Sequence, residues 1–286
     1  MPLRDVTDPA VRTVRRIWDH PGNRGRRVRR LGLWVGWQVW QRTVRRPWVV
    51  ELRPGLAVTL HAHDPVTSGV LYCGLPDWPE MPFVLDYLSP GDVAVDVGAN
   101  VGLYSVLAAS VGDVSVIAFE PDAAARGRAT ANLARNDLAR RVEVREQAVA
   151  EQSGRASFSV ERGPCNRILT SADRAHVGQA VEVVTLDEAV TGSVALLKVD
   201  VEGGELAVLR GADRLLRARR PALILEANDP IGLTDHLAAL GYRWVTYDPG
   251  TRRLSTIPAP PAAGQNGIAL ADLEEAQRRV RAPGHP

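Results

Sequence analysis

Five short strand-like stretches, at 93–97, 114–119, 142–147, 195–199 and 222–226, all but the third mostly apolar, constrain this chain more than any other feature, because helical stretches lie between most of them. Each is strand-length, and its successive apolar residues face both sides of a sheet. Strands buried on both faces belong to parallel sheets, whose crossovers are helices of right-handed connection. The expectation is an α/β protein with an open, mostly parallel sheet and helices on both faces.

The rhythm breaks at 153–192. Stretches 156–160 and 181–184 read as further strands, with a loop at Gly163-Pro164-Cys165-Asn166, so a β element is inserted before the fourth sheet strand. After Pro230, a helix to Leu240, strands at 242–247 and near 268–270 and a Pro-rich turn at 258–261 close the sheet. Upstream, Trp48 to Leu60 around Pro54-Gly55 reads as a hairpin, and Asp77 as the cap of a helix from about Pro79 to Leu88. The expected organisation is a basic Trp/Arg-rich helical arm over 1–47, a hairpin and covering helix over 48–91, a core over 92–272 and a tail over 273–286.

Charge sets the arm apart. The net charge is +2, yet residues 1–50 hold 12 Arg against Asp5, Asp8 and Asp19, which leaves the remainder at −7. Leu33, Trp37, Trp40 and Val44 fall on one helical face, so the arm is expected to dock on the rest of the chain, with peripheral contact to a membrane surface as the alternative. Nucleic acid is not expected as a partner, since the remainder is acidic and no recognition motif accompanies the arginines. The apolar run at 31–40 is about half of what spans a bilayer, and no cleavage pattern marks a signal peptide. Cys73 and Cys165 have neither disulfide-framework nor zinc-ligand spacing, which fits a reducing, cytoplasmic setting.

The segment from Val93 to Ser105 reads as a buried strand, a small-residue turn and a helix start. Gly98, Ala99, Asn100 and Gly102 would let a ligand approach the backbone, with helix amides aimed at it. A dinucleotide fingerprint requires G-x-G-x-x-G, whereas this turn has Gly98-x-Asn100-x-Gly102. Asp96, just before it, would repel a phosphate but suits the ammonium of an amino-acid-like cofactor. Glu120, closing the second strand, suits both hydroxyls of a ribose. Gln147 and Ala148, closing the third, are placed at an adenine edge.

These residues carry a resemblance. Asp96-Val-Gly-Ala-Asn-Val-Gly102, Phe119-Glu-Pro121, Thr185-Leu-Asp187, Lys198-Val-Asp-Val-Glu-Gly-Gly-Glu205, Arg210-Gly211-Ala212 and Pro221-Ala-Leu-Ile-Leu-Glu226 resemble the FkbM-type methyltransferases over about residues 76–230. The resemblance implies a Rossmann-like methyltransferase sheet, S-adenosyl-L-methionine as cofactor and methyl transfer to a hydroxyl of a sugar or secondary metabolite. Where the family commonly has Glu-Gly-Ala-Glu, this chain has Glu202-Gly203-Gly204-Glu205.

Ligands of an open parallel sheet sit beyond its carboxyl strand ends, which puts Lys198, Asp200, Glu202 and Glu226 at the mouth. Removing a hydroxyl proton needs a base at hydrogen-bonding distance, and Asp200 is the first candidate, Glu226 the second. Lys198, alone among 34 Arg, stands where a compact ammonium differs most from a guanidinium. Asp200, Glu226 and Asn228 present oxygen ligands that suit Mg2+ as a minority reading; otherwise no metal is expected. His61 and His63, alternating on a predicted strand, and Glu80, at an acidic position of the family, are candidates for contact with a small-molecule or glycan acceptor. Two other classes compete: a nicotinamide-dependent oxidoreductase, disfavoured by the missing third glycine, and a non-catalytic nucleoside-binding protein of the same fold.

Overall fold

The computed structural model describes residues 9–62, 65–159, 166–169 and 178–281. The chain divides into two compact units, Met1–Trp78 and Pro79–Pro286. Among the described residues no helix is long and apolar enough to cross a membrane.

In the first unit, α1 (Pro9–Asp19) and α2 (Arg27–Thr43) precede a hairpin of β1 (Trp48–Arg53) and β2 (Leu56–Leu60), followed by α3 (Pro65–Cys73). Ile17 and Trp37 are fully buried, and Trp37 packs against Trp48 at 6.1 Å. Asn23 joins the pieces: its buried Nδ2 donates to the carbonyls of Ile17 (2.8 Å) and Tyr72 (3.0 Å). The expected apolar face of α2 is only half realised, because Trp37 is buried while Trp40 and Val44 are exposed. Strand β2 ends at Leu60, so His61 lies beyond it and not on a strand face, and His63 lies outside the described residues.

The second unit begins with α4 (Glu80–Tyr87), whose N-cap position is Pro79 rather than Asp77. Its strands are β3 (Val93–Val97), β4 (Ser115–Phe119), β5 (Val142–Arg145), β6 (Ala148–Val149), β7 (Gly154–Ser159), β8 (Gly178–Val184), β9 (Leu196–Val199), β10 (Ala222–Glu226), β11 (Arg243–Asp248), β12 (Arg253–Thr256) and β13 (Asn266–Leu270). Eight of them form one sheet in the order β12-β11-β13-β10-β9-β3-β4-β5. From β10 to β5 all neighbours are parallel, and β13 runs antiparallel to both β10 and β11. All four residues of β9 are buried, as are four of five in β3 and β10, so both faces of the central sheet are covered.

The covering helices are α5 (Leu103–Ala109), α6 (Ala123–Arg135), α7 (Leu186–Ala189), α8 (Glu205–Arg210), α9 (Asp213–Arg219), α10 (Pro230–Ala239) and α11 (Leu273–Arg281). They pack in two groups, α4 with α5, α6 and α11, and α7 with α8, α9 and α10. The chain leaves β3 toward β4 and β5, then returns to build β9 and β10 on the other side of β3. That reversal opens a crevice at the carboxyl ends of β3 and β9, the usual seat of a ligand in such sheets.

The inserted β element is a separate three-stranded sheet, β6-β8-β7. Of its expected loop, Asn166 is described, while Val160, Gly163, Pro164 and Cys165 lie outside the described residues. Residues 273–281, read from sequence as a tail, are helical: Ala276 and Val280 are buried. Glu274 and Glu275 open this helix and Arg278, Arg279 and Arg281 close it, the arrangement a helix dipole favours.

Candidate cofactor and catalytic site

The register of the central strands assembles the site. Asp96 of β3 pairs with Lys198 of β9, so their side chains lie side by side on one face. Lys198 Nζ is 3.5 Å from Asp96 Oδ1 and 3.3 Å from Asp200 Oδ2, and donates to the Gly98 carbonyl at 3.0 Å. Its ammonium also stands 5.3 Å from the ring centroid of Tyr104. With about 5% of its side chain exposed, Lys198 is a buried cation between two carboxylates, fastening the turn after β3 to the end of β9.

That turn is built tightly. The Gly98 and Ala99 amides both donate to the Phe119 carbonyl at 3.0 Å, and the Gly102 amide to Ala99 at 2.8 Å. Gly98, Asn100 and Gly102 all have positive φ. A Cβ on Gly98 would stand 1.8 Å from the Asp200 carbonyl oxygen, and one on Gly102 would meet Ala129 of α6 at 3.1 Å. A side chain at either position would therefore meet the protein's own backbone and helix, which is a packing reason for glycine beside the one read from sequence. Asn132 of α6 donates to the Val101 carbonyl at 2.9 Å and fixes the turn from below.

Two carboxylates face this turn from different strands. Asp96 is 3% exposed; its Oδ2 accepts from the Ser105 hydroxyl at 2.6 Å. Its Oδ1 is buried without a hydrogen-bond donor. Glu120 accepts from the Asn100 amide at 2.7 Å and the Asp122 amide at 2.8 Å. Burial pushes the Glu120 carboxyl up to about 7, against the pull of those two amides. Each carboxylate oxygen keeps a second lone pair for a further donor.

Gln147 follows β5, and Ala148 belongs to β6 of the small sheet. Gln147 Nε2 donates to Glu182 at 3.2 Å, while its Oε1 is a buried acceptor with no donor. The lining fits an S-adenosyl group: an Asp96 oxygen that faces Lys198 at 3.5 Å but holds no hydrogen bond, for an ammonium; spare Glu120 lone pairs for ribose hydroxyls; and a Gln147 oxygen without a hydrogen bond among the described residues, for an amino group. It offers no third glycine for a pyrophosphate.

Beyond β9 and β10 lies a second acidic set. One step past the last paired residues, Val199 and Leu225, Asp200 and Glu226 stand side by side. Ligand oxygens of Asp200, Glu202 and Glu226 all lie within 4.8 Å of one another. Burial first, and then the Asp200 charge, raise the Glu226 carboxyl to about 7. Asn228, the other residue of the minority metal reading, points its amide at Glu226 (2.6 Å) and Glu205 (3.1 Å).

Glu205, which the sequence places at the start of a helix where a carboxylate serves the N-terminus, does more than that. It is 2% exposed, and its Oε1 accepts from the Val201 and Gly203 amides at 3.2 and 3.0 Å. It thus holds in place the loop that carries Asp200 and Glu202, in which Glu202 takes a left-handed φ of 56°. Ser105 and Tyr104 were not singled out from sequence; their position in the first turn of the helix after the glycine turn was the available signal. Glu80 is buried in the first turn of α4.

A mostly parallel sheet with a reversal at β3 and a buried acidic seat at that reversal define a doubly wound α/β protein with a ligand seat at its carboxyl strand ends. The family comparison specifies which kind. The methyltransferase FkbM domain matches residues 96–243, and the chain belongs to that family. Among curated relatives, 31-O-demethyl-FK506 methyltransferase FkbM of Streptomyces tacrolimicus is 27% identical over 188 residues, 54% of this chain and 72% of the relative. The AMB antimetabolite synthetase AmbE of Pseudomonas aeruginosa is 31% identical over 185 residues, half of this chain but only 9% of that protein. A crystal structure of methyltransferase FkbM from Methylobacillus flagellatus aligns with 20% identity and a TM-score of 0.48, covering 73% of this chain and 55% of that one.

Proposed function

We propose that the protein methylates a hydroxyl oxygen of a sugar or secondary metabolite, and that the Asp200–Glu226 pair accepts the hydroxyl proton. The observation that carries this reading is the placement of Asp200 and Glu226 side by side at the mouth of the sheet with oxygens within 4.8 Å, where burial and the neighbouring charge raise the Glu226 carboxyl to about 7. A base that titrates near the working pH is matched to a weakly acidic hydroxyl. The two groups interact closely, so the proton belongs to the pair, and the preference for Asp200 drawn from sequence widens to both. Lys198 keeps Asp200 oriented, and Glu205 keeps its loop in place.

When bound, S-adenosylmethionine supplies an electrophilic methyl on a sulfonium and departs as the neutral thioether S-adenosylhomocysteine. The chain's part is alignment and proton removal: the acceptor O–H bond breaks toward the carboxylate pair as the new O–CH3 bond forms. The FkbM relative's name denotes methylation of an oxygen, which agrees with this reading. Labelled cofactor with a panel of glycoside and polyketide hydroxyl acceptors tests it. Label in an ether supports the proposal, and label only in amines or carbons rejects it.

The three carboxylates around Glu226 also favour a second reading, in which Mg2+ binds them and orients the acceptor oxygen. Turnover unchanged after chelator treatment removes it. Retained binding of S-adenosylhomocysteine with no transfer to any acceptor would instead favour a nucleoside-binding protein, and binding of NAD an oxidoreductase.

A further inference from the structure

Helix α2 is apolar on two opposite faces. One carries the buried Trp37 and packs within the first unit. At 100° per residue the other face carries Val28, Gly32, Val35, Gly36, Val39 and Thr43, and all six are exposed. Val28 is 78% exposed, Val35 54% and Val39 57%. Nothing lies within 4 Å of where a Cβ would sit on Gly32 or Gly36. Among the described residues nine large hydrophobic side chains are exposed, and eight of them, Trp18 and Trp40 included, belong to the first unit. A concentration of this kind marks an interaction surface.

Charge decides what covers it. Exposed arginines bound the stripe: Arg24 and Arg26 before the helix, Arg29 and Arg42 along its two edges, Arg45 and Arg46 after it. Helix α2 contains no acidic residue. A second copy seated on the stripe would set arginine against arginine in either orientation, whereas an anionic surface satisfies all of them at once. A helix of 17 residues with an apolar stripe, arginine borders and tryptophans suits the plane of a lipid headgroup layer rather than a path across it.

We infer that the exposed face of α2 docks the protein on an anionic membrane surface, with Val28, Val35 and Val39 entering the headgroup–acyl boundary and the flanking arginines meeting lipid phosphates. The inference is independent of the methyl acceptor.

Co-sedimentation of the full chain with lipid vesicles tests it. Binding is expected to vesicles of phosphatidylcholine mixed with phosphatidylglycerol, to weaken about tenfold or more on pure phosphatidylcholine, and to fall with added salt as the surface charge is screened. Val35→Gln with Val39→Gln leaves the charge unchanged and should abolish sedimentation while the circular dichroism spectrum and unfolding temperature stay at the parent values. Binding retained in that double variant overturns docking through this stripe. So do three other results: no sedimentation with anionic vesicles, a dimer in ultracentrifugation that the double variant dissolves while vesicles do not bind, or tighter binding to duplex nucleic acid than to the vesicles.

Discussion

Lys198 holds together what would otherwise repel. Asp96 and Asp200 approach it from adjacent strand ends, and its third contact is the carbonyl of Gly98 in the cofactor turn. Removing the cation leaves the buried Asp96 carboxylate uncompensated, which in comparable buried pairs costs about 3–5 kcal/mol, while Asp200 stays partly solvated. Lys198→Met should lose stability on that scale in denaturant unfolding. Lys198→Arg keeps the charge, but a planar fork cannot replace a point charge in a space only about 5% open to solvent. That variant should remain folded and lose most of its turnover, and full activity would reject a positioning role for the ammonium. Glu120 yields a prediction in pH. Its carboxyl is raised to about 7 by burial, and ribose hydroxyls hydrogen-bond more strongly to the ionised carboxylate, which accepts at both oxygens, than to the acid, whose proton occupies one of them. Affinity for S-adenosylhomocysteine should therefore weaken as pH falls below about 7, by up to tenfold per unit, and stay level above it. Calorimetric titration at several pH values checks this, and Glu120→Gln should flatten the dependence.

Between the strands, several residues within the family resemblance work by tying elements to one another. Asp187, in α7, accepts from the amides of Arg214 (2.9 Å) and Leu215 (2.8 Å), and so occupies the orphan donors at the start of α9. Its own amide donates to the Gly211 carbonyl at 3.0 Å. A Cβ on Gly211 would stand 2.2 Å from the carbonyl oxygen of Ala150, so glycine is required where α8 and α9 meet the chain entering the inserted sheet. Asp187→Ala should cost about 1–2 kcal/mol, the range of a lost helix cap. Since Asp187 faces α9, cofactor affinity should be unchanged below the new unfolding midpoint. Weakened cofactor binding in the folded variant would instead connect this residue to the site.

Across the whole second unit, the distant ends of the chain close the sheet. Tyr247 of β11 donates to Asp86 of α4 at 2.6 Å, and Arg252 pairs with the same carboxylate at 3.0 Å. Arg279 of α11 lies over the Tyr87 ring at 4.7 Å, donates to the Tyr87 carbonyl at 3.3 Å and pairs with Asp92, the residue before β3. One guanidinium thus joins the last helix to the entrance of the first parallel strand. Arg279→Ala should lower stability by about 2 kcal/mol, since it removes a largely buried pair and a cation–π contact together. Thermal unfolding reads this directly, and an unchanged midpoint would show that α11 adds little to the sheet.

The sequence alone determined the parallel sheet, the glycine turn and the acidic residues at strand ends. These follow from local pattern: apolar runs of strand length, helical spacing between them and residues that suit a tight turn. Residues 273–281 read as tail from sequence because a helix of nine residues with few apolar positions has a weak periodic signal until its partners in α4 are in place. The packing reason for the glycines is not legible in sequence, because their neighbours, the Asp200 carbonyl and Ala129, lie far along the chain. Only the tertiary structure decided that Asp96, Lys198 and Asp200 are one cluster and that Asp200 stands beside Glu226. Strand register sets those distances, and register depends on how whole strands align in a common core, a long-range choice that no window of sequence contains.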